Sequence, residues 1–308
     1  MKSSFIKAHI SLFFVNALYG ANHIIAKGVM PQFLTPSVFI LFRVVGAVFL
    51  FWIVKLLTIK EKIERKDYVR LAACGMFGVT INQLCFFYGL NASSSINAGI
   101  IMTINPILVV FLSFFILKEK ITLQKSIGVL IGAAGAILLT LKAGTGSGDS
   151  IFGDFLLFIN AASYALYLVL VKPLMKKYSP LTVITYVFSF GLIYVLLYPP
   201  TLTELFQVDF SSFTSEITLK ILFIVVGVTF LAYLLTVYAL KSVSPSTSSS
   251  YIYFQPVFVI FFAFLFFAID LSDDYTQTIT WEKVAYMLLI FVGVFITSMS
   301  NYRQKRLR

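Results

Sequence analysis

Apolar runs separated by short polar, glycine- or proline-bearing connections divide the chain into ten segments, near residues 6–27, 36–58, 67–90, 95–117, 121–142, 151–174, 180–199, 218–240, 244–268 and 281–301. A hydrocarbon core about 30 Å thick is crossed by about 20 such residues in a helix, so the pattern predicts an all-α polytopic membrane protein with ten transmembrane helices. The polar residues inside the segments are spaced for one face. In the first segment Asn16, Tyr19, Gly20, His23 and Lys27 step by three or four, and the sixth repeats the stripe with Asn160, Ser163, Tyr164 and Tyr167. The third segment brings Asn82, Gln83 and Tyr88, and the eighth answers with Tyr233 and Tyr238. The fourth shows Ser94, Asn97, Ala98, Ile101 and Asn105, and the ninth Ser244, Thr247, Ser248, Tyr251 and Gln255. Such stripes serve either as hydrogen-bonding glue between helices or as the lining of a shared cavity. Their recurrence in pairs, with aromatic hydroxyls on both members, favours the cavity.

The pairing follows from a duplication. An offset of 150 residues places Tyr88 on Tyr238, Leu90 on Leu240, Pro106 on Pro256 and Phe111 on Phe261. Upstream an offset of 144 places Asn16 on Asn160, Ala21 on Ala165 and Pro36 on Pro180. Downstream an offset of 158 places Lys125 on Lys283 and Gly135 on Gly293, which leaves extra residues around Asp270 to Thr278 in the second copy. The expected organisation is a first repeat over 1–143, an external glycine-rich linker over 144–150 and a second repeat over 151–308. Five spans per repeat is an odd number, so the second copy enters the membrane upside down, the inverted-repeat plan of many secondary transporters. Pro106 and Pro256 each follow an amide residue and each remove an N–H from a helix, so a kink is expected there.

Composition restricts the picture further. With 59% hydrophobic and 12% charged residues and a mean hydropathy of +0.93, the chain belongs in a lipid bilayer. The net charge of +11 is accounted for without nucleic acid. Most Lys and Arg fall in alternate connections, including Lys55 to Arg70, Lys118 to Lys125, Lys172 to Lys177 and Arg303 to Arg308. By the positive-inside rule both termini are cytoplasmic. Residues 8–26 resemble a signal peptide, but they supply the partner of the sixth segment and are read as an uncleaved first span. Cys74 and Cys85 lie about 16 Å apart along one helix, too far for a disulfide. Gly128, Gly132 and Gly135 give the fifth helix a small-residue face suited to close helix packing or to a homodimer contact.

The chemistry on offer is that of binding. Arg43 lies inside the second span, where a charge costs at least about 2.5 kcal/mol, so it either faces protein and water or snorkels to the headgroups. Its repeat position is Val187. No Asp or Glu falls near the middle of any span, and two His and two Cys provide no metal set, nucleophile or paired acids for an enzyme. No cofactor is expected. His23, with His9 nearer the cytoplasmic end, is the remaining group able to carry a proton near neutral pH. Amides and tyrosine hydroxyls on apolar walls suit a neutral or zwitterionic solute, with Lys27 or Arg43 available for a carboxylate.

Tyr19-Gly20-Ala21-Asn22-His23-Ile24-Ile25-Ala26-Lys27, Phe42-Arg43, the stretch Asn91 to Gly135 with Pro106 and Lys118-Glu119, Tyr164-Ala165-Leu166-Tyr167, and Tyr238-Ala239-Leu240 to Pro256 together resemble the EamA-like family of the drug/metabolite transporter superfamily. The resemblance covers nearly the whole chain. It implies a small-solute transporter of the inner (plasma) membrane, often an exporter of amino acids or other metabolites, with a central cavity lined by both repeats. Here His23 replaces an aromatic residue, and Glu119 has no clear counterpart in the second repeat. A proton-coupled drug, nucleobase or sugar-type transporter, a channel and a structural membrane protein remain as alternatives.

Overall fold

The computed structural model describes residues 2–93, 101–141, 150–268 and 281–306. Among them every regular element is helical: α1 Lys2–Lys27, α2 Pro36–Thr58, α3 Arg65–Ala92, α4 Asn105–Leu117, α5 Leu123–Leu141, α6 Ile151–Val171, α7 Pro180–Leu197, α8 Ser215–Leu240, α9 Pro245–Phe266 and α10 Trp281–Arg306. A short helix, Pro199–Leu205, follows α7. Against the ten crossings expected, length and composition single out six helices able to span a membrane among the described residues, namely α2, α3, α6, α7, α8 and α9. Three shorter apolar helices, Ile104–Leu117, Leu123–Leu139 and Val284–Thr297, fall in α4, α5 and α10. α1, which carries the first polar stripe, is in neither group, and the fourth segment is interrupted at Thr103–Ile104.

Local chemistry sets the helix starts. Ser179 and Ser244 each precede a proline at the first helical position and accept a backbone N–H three residues on, from Thr182 and Thr247, both at 3.2 Å. Thr35-Pro36 opens α2 in the same way, but the Thr35 hydroxyl donates to Glu204 at 2.6 Å instead of capping.

The polarity of the molecule is inverted relative to a soluble protein. Asn16, Asn82, Gln83, Asn105 and Asn160 are buried, while Phe111, Leu130, Phe152, Phe264 and Phe295 are exposed. An apolar exterior around polar groups is stable where the surroundings are hydrocarbon.

Helix packing respects the duplication. α1 lies against α8 and α9, and with the repeats exchanged α6 lies against α3 and α4. α2 packs on its own equivalent α7, and α5 on its equivalent α10. The last seam is set by glycine. A Cβ on Gly128 would stand 2.8 Å from the Gly293 carbonyl oxygen, and one on Gly293 would stand 2.6 Å from the Gly132 Cα. The small-residue face of α5 is therefore occupied within the chain by α10, the packing alternative of the two expected for it.

Two further features are doubled. α3 winds as a π-helix over Met76–Thr80 and α8 over Ile224–Leu231, stretches that overlap under the 150-residue offset. The wider winding redirects backbone carbonyls and is frequent at functional sites. Ser163 donates to the Phe77 carbonyl at 2.5 Å, and Tyr233 to that of Gly78 at 3.3 Å. Just upstream of each of the two prolines the winding changes. Thr103–Ile104 form a turn before Asn105-Pro106, and Tyr251–Phe254 tighten into a 3-10 helix before Gln255-Pro256. The Ile252 carbonyl, which Pro256 leaves without its usual donor, accepts the Gln255 backbone N–H.

Both ends of the bundle carry ties between the repeats. At the end rich in basic residues Asp67 accepts from Lys177 and Tyr178, both at 2.7 Å, and Glu61 accepts from the Ser179 backbone N–H at 3.0 Å. The hydrogen bond to Asp67 holds the Lys177 ammonium above its ordinary value. The bond from Lys66, reinforced by the charge of Lys177, holds Glu64 below the usual carboxylate range. Lys125, buried despite its charge, meets Glu119 at 3.2 Å and lies 3.5 Å from the Ser246 hydroxyl of the other repeat. At the other end Glu204 accepts from Thr35 and Ser37, and Asp154 from Ser93.

Candidate functional cavity

The unwound turns, the part of α3 that follows its π-helix and the polar stripes of α1 and α6 converge on a cavity of about 100 Å³ between the two repeats. Seven of the sequence-derived candidates line it: Tyr19, Arg43, Asn82, Asn105, Asn160, Tyr164 and Gln255. The remaining walls come from Asn22, Gln83, Phe86, Phe87, Met102, Tyr233 and Ile252. Met102 and Ile252 are equivalents under the 150-residue offset, as are Asn105 and Gln255, and Gln83 and Tyr233. The duplication therefore builds opposite walls from matching positions.

Several amides are held by the backbone of a neighbouring helix. The Asn105 amide donates to the Ala161 carbonyl at 2.7 Å, and the Asn160 amide to that of Asn82 at 2.6 Å. Each bond fixes the side chain and leaves other capacity open. The Asn105 and Asn22 carbonyl oxygens are buried without a hydrogen bond in the described structure. Buried amide atoms of this kind are costly unless something else satisfies them.

Arg43 is buried, 5% exposed, and faces the protein interior, so the snorkelling alternative does not apply. Its Nε donates to the Thr229 hydroxyl at 3.1 Å, and Thr229 in turn donates to the Ile224 carbonyl at 2.9 Å inside the π-helix of α8. The guanidinium carbon lies 5.0 Å from the centre of the Phe87 ring and 5.6 Å from that of Phe39. Tyr19 and Tyr233 are the phenols within electrostatic reach. Among the described residues no carboxylate pairs with Arg43, and none lines the cavity.

Other candidates sit elsewhere. Asn16 stands behind the wall, accepting from the Gln255 amide at 3.1 Å and donating to the Leu12 carbonyl at 2.7 Å. The Tyr251 hydroxyl lies 2.6 Å from His9 Nδ1, towards the start of α1. Tyr167 is buried with its ring against Gly78. Tyr88 stacks edge-on with Tyr198, with ring centres 6.3 Å apart. Tyr238 is partly exposed, Ile101 half-buried, and Thr247 buried in the first turn of α9. None of these lines this cavity. Asn97 and the side chains of His23, Lys27 and Pro256 lie outside the described residues. Gln83, Tyr233 and Asn22 were visible in the sequence as polar residues in apolar helices. Phe86, Phe87, Met102 and Ile252 carried no signal separating a cavity wall from ordinary packing.

Comparison with known proteins adds an independent line. The chain matches the EamA-like transporter family twice, over residues 6–141 and 151–299. It is 29% identical over 258 residues to the uncharacterized transporter YetK of Bacillus subtilis, covering 81% of this chain and 76% of that protein. An uncharacterized transporter of Archaeoglobus fulgidus is 26% identical over 265 residues, 86% of this chain and 89% of that one. An uncharacterized transporter of Clostridium kluyveri is 23% identical over 315 residues, 100% of this chain and 97% of that one. A crystal structure of a protein 15% identical matches over 99% of both chains with a TM-score of 0.70, a likeness of fold.

Proposed function

The chain belongs to the EamA-like transporter family, and from that premise we propose that it is a secondary transporter of small metabolites, with neutral or zwitterionic solutes such as amino acids as the favoured cargo. As a multi-pass integral membrane protein of a transporter family, it crosses the inner (plasma) membrane ten times in this reading. Its two five-helix repeats, 1–143 and 151–308, are inverted about the linker 144–150, and both termini are cytoplasmic. The cavity lined by amides and phenols from both repeats is the observation that carries the reading. At about 100 Å³ it holds only a small solute, since drug-sized ligands occupy about 300 Å³ or more.

Transport proceeds by rocking one repeat against the other around this cavity. The ties of Asp67 and Glu61 to the 177–179 connection, and that of Lys125 and Glu119 to Ser246, break and reform in each cycle. Their counterparts at the opposite end are Glu204 with Thr35 and Ser37. Binding energy from the solute offsets the ties lost as the bundle opens.

Counterflow in proteoliposomes tests the proposal. Vesicles loaded with unlabelled solute and carrying the purified chain are expected to accumulate the labelled solute transiently, in a saturable manner. If no amino acid, nucleobase or small organic acid moved under these conditions, the proposed cargo would be wrong. A conductance that never saturated would support a channel instead.

A further inference from the structure

Resting on the transporter reading, one feature of the cavity points to the part of the cargo that is recognised. Arg43, itself buried, places a permanent positive charge at the wall of a cavity set among apolar helices. Among the described residues one of its five N–H groups has a hydrogen-bond partner, Thr229 at 3.1 Å. Phe39 and Phe87 stabilise the charge through their ring faces but accept no in-plane hydrogen bond from the planar fork. The remaining wall offers neutral amide groups, among them the Asn105 and Asn22 carbonyl oxygens, which are buried without a hydrogen bond in the described structure. Met102 and Ile252 supply apolar surface.

Among the described residues the wall has one cation and otherwise neutral polar groups, a combination with a definite selectivity. A carboxylate matches the guanidinium fork bidentately and neutralises it. An ammonium group finds neutral acceptors at most and shares the space with a like charge. We propose that Arg43 is the anchor for the carboxylate of the transported solute, and that this carboxylate, not an amino group, is the recognised element. The cargo class is then the small carboxylic acids, with amino acids as members that happen to carry an amine. Thr229 acts as a positioning residue by fixing the fork through Nε.

The test uses the detergent-purified full chain and three matched sets of short aliphatic probes: carboxylic acids, the amino acids with the same side chains, and the amines lacking the carboxylate. Apparent melting temperature reports binding, because a ligand of the folded state stabilises it by mass action. Acids and amino acids are expected to raise the melting temperature and amines to leave it unchanged. R43Q is expected to abolish the response, R43K to weaken affinity about tenfold, and T229V to weaken it a few-fold, each within the range of charge-assisted hydrogen bonds. R43K and T229V keep the test decisive should R43Q fail to give a monodisperse protein. Amine binding equal to that of the acids, no response to any carboxylate, or R43K and T229V both at wild-type affinity would each overturn the assignment. Running the same probes in counterflow separates the two readings. Movement of amines but not acids would sink the carboxylate anchor and leave the transporter intact. Arg43-dependent binding of acids with no movement of any probe would do the reverse.

Discussion

α2 and α7 are the same helix written twice, and they differ where it matters most. Each begins with a hydroxyl residue and a proline, Thr35-Pro36 and Ser179-Pro180, and the two pack against each other. Arg43 in the first copy reaches the cavity, whereas its equivalent Val187 is wholly buried where α7 meets α3, its carbonyl oxygen 2.8 Å from where a Cβ on Gly75 would stand. A similar divergence separates Thr229, which holds Arg43, from its equivalent Val79, packed on Gly191. Duplication supplies walls from matched positions, and single asymmetric substitutions supply the charge. A cavity built by strict two-fold symmetry would have two arginines facing one another or none.

The comparison breaks most severely if charge is added to the apolar copy. V187R is expected to cost at least about 2.5 kcal/mol, with no partner in the tight seam to offset it. Size-exclusion chromatography of the solubilised protein should then show loss of the monodisperse peak. A stable V187R protein would mean that α7 has room for the side chain and that the asymmetry is incidental.

Removing charge from the polar copy should act in the opposite way on folding and function. R43M is expected to leave thermal stability near or above that of the wild type, because a buried charge gives way to an apolar chain. Saturable transport should fall about tenfold to a hundredfold, the loss of about 1.5–3 kcal/mol for charge-assisted bonds. Unchanged transport rates in R43M vesicles would dissociate the arginine from function.

A milder exchange sharpens the same contrast. T229V gives α8 the residue that α3 already has, and should weaken transport a few-fold through about 0.5–1.5 kcal/mol of lost hydrogen bonding. V79T, the reciprocal change, alters a helix seam away from the charge and should affect melting temperature more than transport. Equal transport defects in the two variants would argue that the π-helices act alike and that Arg43 is not what distinguishes them.

The smallest effect is expected at Tyr251. Its hydroxyl bonds to His9, and Tyr251 is not among the described residues that line the cavity. Y251F should lower stability by about 1 kcal/mol, the scale of one hydrogen bond, with transport close to that of the wild type. A large transport defect would place Tyr251 in a cargo route beyond the described cavity.

The sequence by itself determined the helical class, the membrane environment and the duplication, because these are written as periodicities: apolar runs of membrane length, polar faces at helical spacing and residue pairs at constant offset. It also brought together Asn82, Asn105, Asn160, Tyr164 and Gln255, since a polar residue in an apolar helix has few places to go. The direction in which Arg43 points was left to the tertiary structure, because interior and headgroups are both within reach of a long flexible side chain. So were the paired π-helices, which arise when a winding change is stabilised by neighbours such as Ser163 and Tyr233 and have no residue signature of their own. Phe86, Phe87, Met102 and Ile252 became cavity walls only once the unwound turns were placed opposite each other. An apolar side chain reads the same in a sequence whether it meets another side chain or an open space.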